Sequence, residues 1–290
     1  MTSGEEQFHK PAPARKAGTG VTHYENFPVA SFLCPPALRA PITAIYWFAR
    51  TADDIADEGS AVAQVRLADL TAYRADLQAC ATGQTFSTRW PTIFEPLRAA
   101  VTQFALPVNL LADLLTAFEQ DVVKTRYTND EELLDYCRHS ANPIGRLLLH
   151  LYGITSAASL QQSDDICTAL QLINFWQDLS VDIPRGRIYL PVERWAMQGV
   201  TGQQLLALQI NNATTHLVRD SLLWARDMML RGAPLTKTIP GRAGWELRLV
   251  VQGGLRIAEK IEGLDYRTLQ SRPKLGPWDI AVMTWRALFM

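Results

Sequence analysis

The sequence predicts an all-α fold, a large helical bundle, and three observations carry that reading. From Ala37 onward apolar residues recur every three to four positions, as in Ile42, Ile45, Phe48, Ala49 and Ala52. Alternating strand-like segments closed by tight turns are scarce. A chain of 290 residues, 48% hydrophobic and 20% charged, can bury one large core without disulfides or structural metal.

The first helix follows Pro35-Pro36, where a helix start tolerates proline. Further helices are predicted at about 61–82, 91–104, 107–126, 130–153, 163–182, 201–231, 241–269 and 277–288. Pro184-Arg185-Gly186-Arg187 must stop the helix before it and leaves a loop with two arginines. Residues 1–20, rich in Gly, Pro, Ala and charge without a signal-peptide core, read as a disordered arm, and 21–290 as one domain.

Lys and Arg number 28 against 29 Asp and Glu, so a net charge of -1 offers no footprint for nucleic acid. Cys34, Cys80, Cys137 and Cys167 lie far apart, and the five histidines do not join them at zinc spacing. Reduced thiols in a cytoplasmic protein are expected. No run reaches the roughly 18 apolar residues that cross a bilayer. A lipid substrate would be met from the water side, with a peripheral contact at the inner membrane face.

Tyr46, Arg50, Asp53 and Asp57 are spaced 4, 3 and 4 apart and form one polar stripe on a helix, with Asp54 beside it. One acidic cluster can be a solvated face or a ligand site. This stripe runs along an otherwise apolar segment, YWFARTADDIADE, which points it into a cavity. A second stripe, Gln171, Asn174, Asp178 and Asp182, has spacings of 3, 4 and 4, with Leu172, Phe175, Trp176 and Leu179 on the other faces. Four buried polar groups without partners would cost about 1 to 3 kcal/mol each. A shared ligand is the economical explanation. Carboxylate and amide oxygens suit Mg²⁺, with Mn²⁺ as the substitute, and two facing stripes would hold a diphosphate through bridging ions. Such ions neutralise charge on the departing diphosphate, and the resulting carbocation survives only in a dry, apolar cavity. Arg50, Arg185 and Arg187 are candidate diphosphate contacts because guanidinium matches phosphate oxygens.

The segments AIYWFARTADDIADE (44–58), FEQDVVKTRY (118–127) and QLINFWQDLSVDIPRGRIYLP (171–191) resemble the squalene and phytoene synthase family over about residues 22–275. The resemblance implies an isoprenoid synthase bundle with a central apolar cavity. It carries Asp53, Asp57, Asn174, Asp178 and Asp182 over as Mg²⁺-diphosphate residues, and Tyr46, Arg50, Tyr136 and Gln171 as active-site positions. It also implies that Tyr189, in RGRIYLP, meets substrate.

Where relatives commonly show a small V-A-G-like run, this chain has HSANPIG (139–145), and Gln177 stands where a basic residue is frequent. With HYENFPVASFLCP (23–35), these departures resemble the hydroxysqualene synthase branch of bacterial hopanoid biosynthesis. That branch implies ionisation of presqualene diphosphate and a water quench, coupled to a presqualene diphosphate synthase. Asn142 is then a candidate water holder, with a proline-shaped helix kink at Asn142-Pro143 as the structural alternative. Two competing functions stand beside it: head-to-head condensation of two farnesyl diphosphates to presqualene diphosphate or squalene, and a non-catalytic assembly factor. No dinucleotide fingerprint is visible, so no NADPH is expected.

Overall fold

A computed structural model describes residues 34–290. The expected arm at 1–20 and most of the HYENFPVASFLCP segment lie outside the described residues. Four helices, α1 (Pro36–Asp57), α2 (Ala63–Thr82), α3 (Pro91–Phe104) and α4 (Val108–Val123), form the first half. They close on a core of Phe48, Leu70, Tyr73, Leu77, Phe94 and Leu111, all fully buried. Phe48, Tyr73 and Phe94 form an aromatic triad with ring centroids 4.8 to 6.1 Å apart. The Tyr73 hydroxyl spends its donor on the Phe48 carbonyl at 3.1 Å, which removes the cost of burying it. Arg74 on α2 forks onto Glu119 of α4 at 3.0 and 2.9 Å, tying the two helices together.

The second half comprises α5 (Asp130–Ser140), α6 (Asn142–Leu151), α7 (Ala157–Gln177), α8 (Leu179–Asp182), α9 (Val192–Met197), α10 (Gly202–Leu206), α11 (Asn212–Gly232), α12 (Leu235–Thr238), α13 (Gly241–Gly263) and α14 (Pro277–Leu288). Helix α7 is its axis, and neighbours reach it through glycines. A Cβ on Gly232 of α11 would lie 2.6 Å from the Gln162 carbonyl oxygen and 2.9 Å from the Ile166 nitrogen of α7. A Cβ on Gly145 of α6 would strike Cys167 at 2.6 Å. Backbone approaches this close hold α7 rigidly, with Trp176 at the centre of the surrounding core.

The all-α prediction holds: the described residues contain no strand, and their one β-bridge joins Arg126 to Ile188. Several boundaries differ from the sequence reading. The 130–153 helix breaks at Ala141 because Pro143 has no N–H to continue the ladder, and Asn129 caps α5 through the Glu132 N–H at 3.0 Å. The helix expected at 163–182 begins at Ala157, where Ser156 caps it, and breaks at Asp178 (φ -99°, ψ 10°) before the single turn of α8. The 201–231 helix is two: Leu208 takes φ 49°, and Asn211 caps a fresh start with a reciprocal Thr214 bond. Helix α13 ends at Gly263, not at 269, because Asp265 and Tyr266 turn left-handed at φ 50° and 58°. The four cysteines are free, as expected. No helix among the described residues is long and apolar enough to cross a membrane.

Candidate active site

A bridge between two chain segments builds the site. The loop after α8 lies beside the segment leaving α4: the Ile188 N–H donates to the Thr125 carbonyl at 3.1 Å, and the Val192 N–H to the Tyr127 carbonyl at 2.9 Å. Gly186, at φ 87°, makes the turn that the PRGR sequence announces, and the Arg126 guanidinium donates to its carbonyl. This pairing sets Arg187 beside α1 and α4 at once. Its guanidinium donates to Asp57 of α1 and, at 3.4 Å, to the backbone carbonyl of Asp121 of α4. Its backbone N–H donates to the Asp182 carbonyl of α8 at 3.0 Å, so the two stripes meet at this arginine.

The first stripe is on α1 as expected. Arg50, however, is committed to its own helix, pairing with Asp53 at 3.1 Å, Asp54 at 2.6 Å and Glu58 at 2.9 Å. These pairs place its charge within the acidic turn. Tyr46 stands one turn before Arg50 and meets Trp47 edge-on at 5.2 Å. Burial, partly countered by Arg50, pushes the Asp53 carboxyl up to about 6. Burial and the neighbouring Asp178 do the same to Asp182, again to about 6. In both, burial outweighs the arginines nearby.

On α7 the side chains of Gln171 and Asn174 are half-buried and make no hydrogen bond among the described residues, which leaves them open to a ligand. Asp178 is held differently. Arg272, from the segment between α13 and α14, forks onto both of its oxygens. Arg185 is exposed and acts on Asp182 only through its charge. Gln177 is buried and donates to the Pro273 carbonyl at 2.7 Å, next to the Arg272 that grips Asp178. Asn142 is buried at the α5–α6 junction and accepts from the Thr168 hydroxyl of α7 at 3.0 Å.

Behind the acids lies an aromatic layer. Tyr189 stacks on Phe175 with centroids 3.7 Å apart and planes at 6°, and Tyr127 and Tyr136 pack against it at 5.8 and 6.1 Å. The Tyr136 hydroxyl donates to Asp121 at 2.9 Å. Sequence reasoning missed Asp121 and Arg272. The signal for Asp121 was present in the FEQDVVKTRY match; Arg272 had none. Burial raises the Asp121 carboxyl to about 7; Tyr136 and Arg187 lower it, while Asp53 and Asp57 raise it. A carboxyl whose folded pKa is raised contributes stability that is complete below its ordinary value near 4 and lost as pH rises through about 7. Asp121→Asn, which keeps an acceptor for Tyr136, should therefore raise the thermal midpoint of metal-free protein by a few degrees at pH 8, and by clearly less at pH 5. Equal shifts at both pH values would refute this account of the site.

Squalene/phytoene synthase is the family model that matches this chain, over residues 21–279. The chain belongs to the squalene/phytoene synthase family. It is 35% identical to the hydroxysqualene synthase of Sinorhizobium fredii over 238 residues, covering 82% of this chain and 78% of that one. It is 32% identical to that of Rhodopseudomonas palustris over 278 residues, covering 95% and 92%. Among solved structures, squalene synthase HpnC from Alicyclobacillus acidocaldarius aligns with a TM-score of 0.76 at 31% identity, covering 82% of this chain and 88% of that one. The expected family and its hydroxysqualene branch are thus supported, and the chain is a squalene/phytoene-synthase-type enzyme. Intact acids in both stripes weigh against the assembly-factor reading of this synthase.

The donor set suits the expected ion. Among the described residues no three acidic, cysteine or histidine side chains converge closely enough to hold a metal alone. Mg²⁺ asks for less, because one or two carboxylates per ion suffice when water and diphosphate complete the shell. Asp53 and Asp182, each largely buried and crowded by neighbouring carboxylates, fit that requirement.

Proposed function

We propose that this synthase converts presqualene diphosphate and water to hydroxysqualene and diphosphate. The observation that carries the reading is that Arg187 joins both acidic stripes, its guanidinium donating to Asp57 and its backbone N–H to the Asp182 carbonyl at 3.0 Å, two residues before the Tyr189 that stacks on Phe175. Asp53, Asp57, Asn174, Asp178 and Asp182 would hold Mg²⁺, which when bound supplies Lewis-acid stabilisation for the departing diphosphate. Arg187 and Arg185 add positive charge beside the same oxygens. The faces of Tyr189, Phe175 and Tyr136 offer π density to the carbocation and keep bulk water out.

The branch assignment draws support from the names of the Sinorhizobium and Rhodopseudomonas relatives. The Asn142 amide nitrogen, with no hydrogen bond among the described residues, would donate to the quenching water. Gln177 is spent on Pro273, which makes it a support for the Arg272 loop in this scheme.

Incubation of the enzyme with Mg²⁺ and presqualene diphosphate in ¹⁸O-water, without NADPH, should give a labelled C30 alcohol and free diphosphate, and excess EDTA should stop it. A second reading takes its support from the name squalene synthase borne by the Alicyclobacillus structure. Unlabelled hydrocarbon as the product, or efficient presqualene diphosphate formation from farnesyl diphosphate, would decide for that reading.

A further inference from the structure

Asp178 stands where α7 breaks into α8, and both of its carboxylate oxygens are engaged by a residue 94 positions further along the chain. Arg272 donates from Nε to Oδ1 and from Nη2, at 3.0 Å, to Oδ2. The Asp178 side chain is only 13% exposed, so burying its charge without that fork would be costly. Two further bonds fix the segment that brings Arg272 in. The Gln177 amide donates to the Pro273 carbonyl at 2.7 Å, and the Ser180 N–H donates to the Thr268 carbonyl at 3.1 Å. These anchors flank Asp178 on one strand of chain and Arg272 on the other. Gln177, Thr268 and Pro273 are buried, whereas the Arg272 side chain is 32% exposed. The backbone is the fixed part here and the guanidinium the movable one.

A guanidinium fork and a divalent cation make competing demands on one carboxylate. Each neutralises the same charge and uses the same oxygens, and two cations held by a single carboxylate repel each other. The remaining metal-site acids are held more lightly. Asp53 accepts one bond from Arg50 and Asp57 one from Arg187, while Asp182 feels Arg187, Arg185 and Arg272 through their charge. Among the described acids of the two stripes, Asp178 alone has both oxygens on one arginine.

We propose that Arg272 is a positioning residue that holds Asp178 as a stand-in for the cation and gives the carboxylate up when Mg²⁺ binds. The bonds at Gln177 and Ser180 keep residues 268–273 in place during the exchange, so the side chain swings on a fixed backbone. Asp178 thereby keeps its place on the second stripe before the cation arrives, and cation affinity reflects an exchange of partners rather than the acids alone. The inference rests on the reading of Asp178 as a metal ligand and is independent of which product the site makes.

Binding of Mn²⁺ alone to the full-length protein, followed by electron paramagnetic resonance, tests it. Arg272→Met should bind Mn²⁺ about tenfold more tightly than the wild type, because nothing has to be displaced. Arg185→Met removes a charge that also acts on Asp182 from an exposed position, and should tighten binding by less than about threefold. In an Asp178→Asn background Arg272→Met should lose its effect, the signature of direct coupling. Arg272→Lys keeps the charge without the fork and should fall between wild type and Arg272→Met, which also carries the comparison if the methionine variant misfolds. An Arg272→Met affinity no tighter than that of the wild type, equal tightening by Arg185→Met, or tightening that persists with Asp178→Asn would each overturn the proposal. Absence of Mn²⁺ binding to the wild type even with inorganic pyrophosphate would end the metal reading itself, and this inference with it.

Discussion

Asp53→Asn and Asp182→Asn are each expected to lower turnover by about three orders of magnitude while leaving the helical circular dichroism signal intact. The reason is differential: these carboxylates do little for the metal-free fold. Burial raises both to about 6, so ionising them near neutral pH opposes folding, and a neutral isostere relieves that opposition. Their negative charge matters when a cation and a diphosphate arrive, where loss of one preorganised electrostatic contact typically costs about 10²- to 10³-fold. Asp178→Asn should behave differently. It also strands the Arg272 guanidinium, so activity and thermal midpoint fall together. Single-turnover assays beside thermal melts would separate the two behaviours. Near wild-type rates for Asp53→Asn and Asp182→Asn, or unfolding of both, would end the two-stripe account.

Gly232→Ala is expected to destabilise the protein by about 3 kcal/mol, the largest effect on stability foreseen for a single methyl-scale change. The atoms facing this position are the Gln162 carbonyl and the Ile166 backbone nitrogen, and α7 cannot yield there as a flexible side chain would. Strain is relieved only by moving α11 away from the helix that carries Gln171, Asn174 and Asp178. Activity should therefore fall further than the loss of folded protein accounts for. Gly254→Ala is the informative contrast. Its nearest neighbour is the flexible end of Met229, which can rotate aside, so its cost should be distinctly smaller. Denaturant titration of both variants checks the ranking, and equal costs would show that the backbone contact at Gly232 is not the cause.

Helical class and the composition of the two stripes were decided by the sequence, because spacings of three and four residues are fixed by helix geometry and survive any tertiary arrangement. The stop at Pro184 was legible for a similar local reason, since proline acts on its own backbone, whereas Asn142-Pro143 was read as a kink within one helix and proved to be a break. What faces the stripes was a tertiary matter. That Arg50 pairs with Asp53, Asp54 and Glu58 together was seen only in the structure. Gln177 departs from the family pattern in sequence, yet its amide is spent on a carbonyl 96 residues away. Asp121 acquires its raised pKa from burial, with Asp53 and Asp57 adding to it and Tyr136 and Arg187 opposing it, and Arg272 finds Asp178 across 94 residues. Such pairings depend on how helices pack, and helix packing is set by close approaches such as that of Gly232 on α7, which no periodicity encodes. The stripes were thus local facts of the chain, whereas their meeting at Arg187 was decided by the folded backbone that pairs residues 125–128 with the loop after α8.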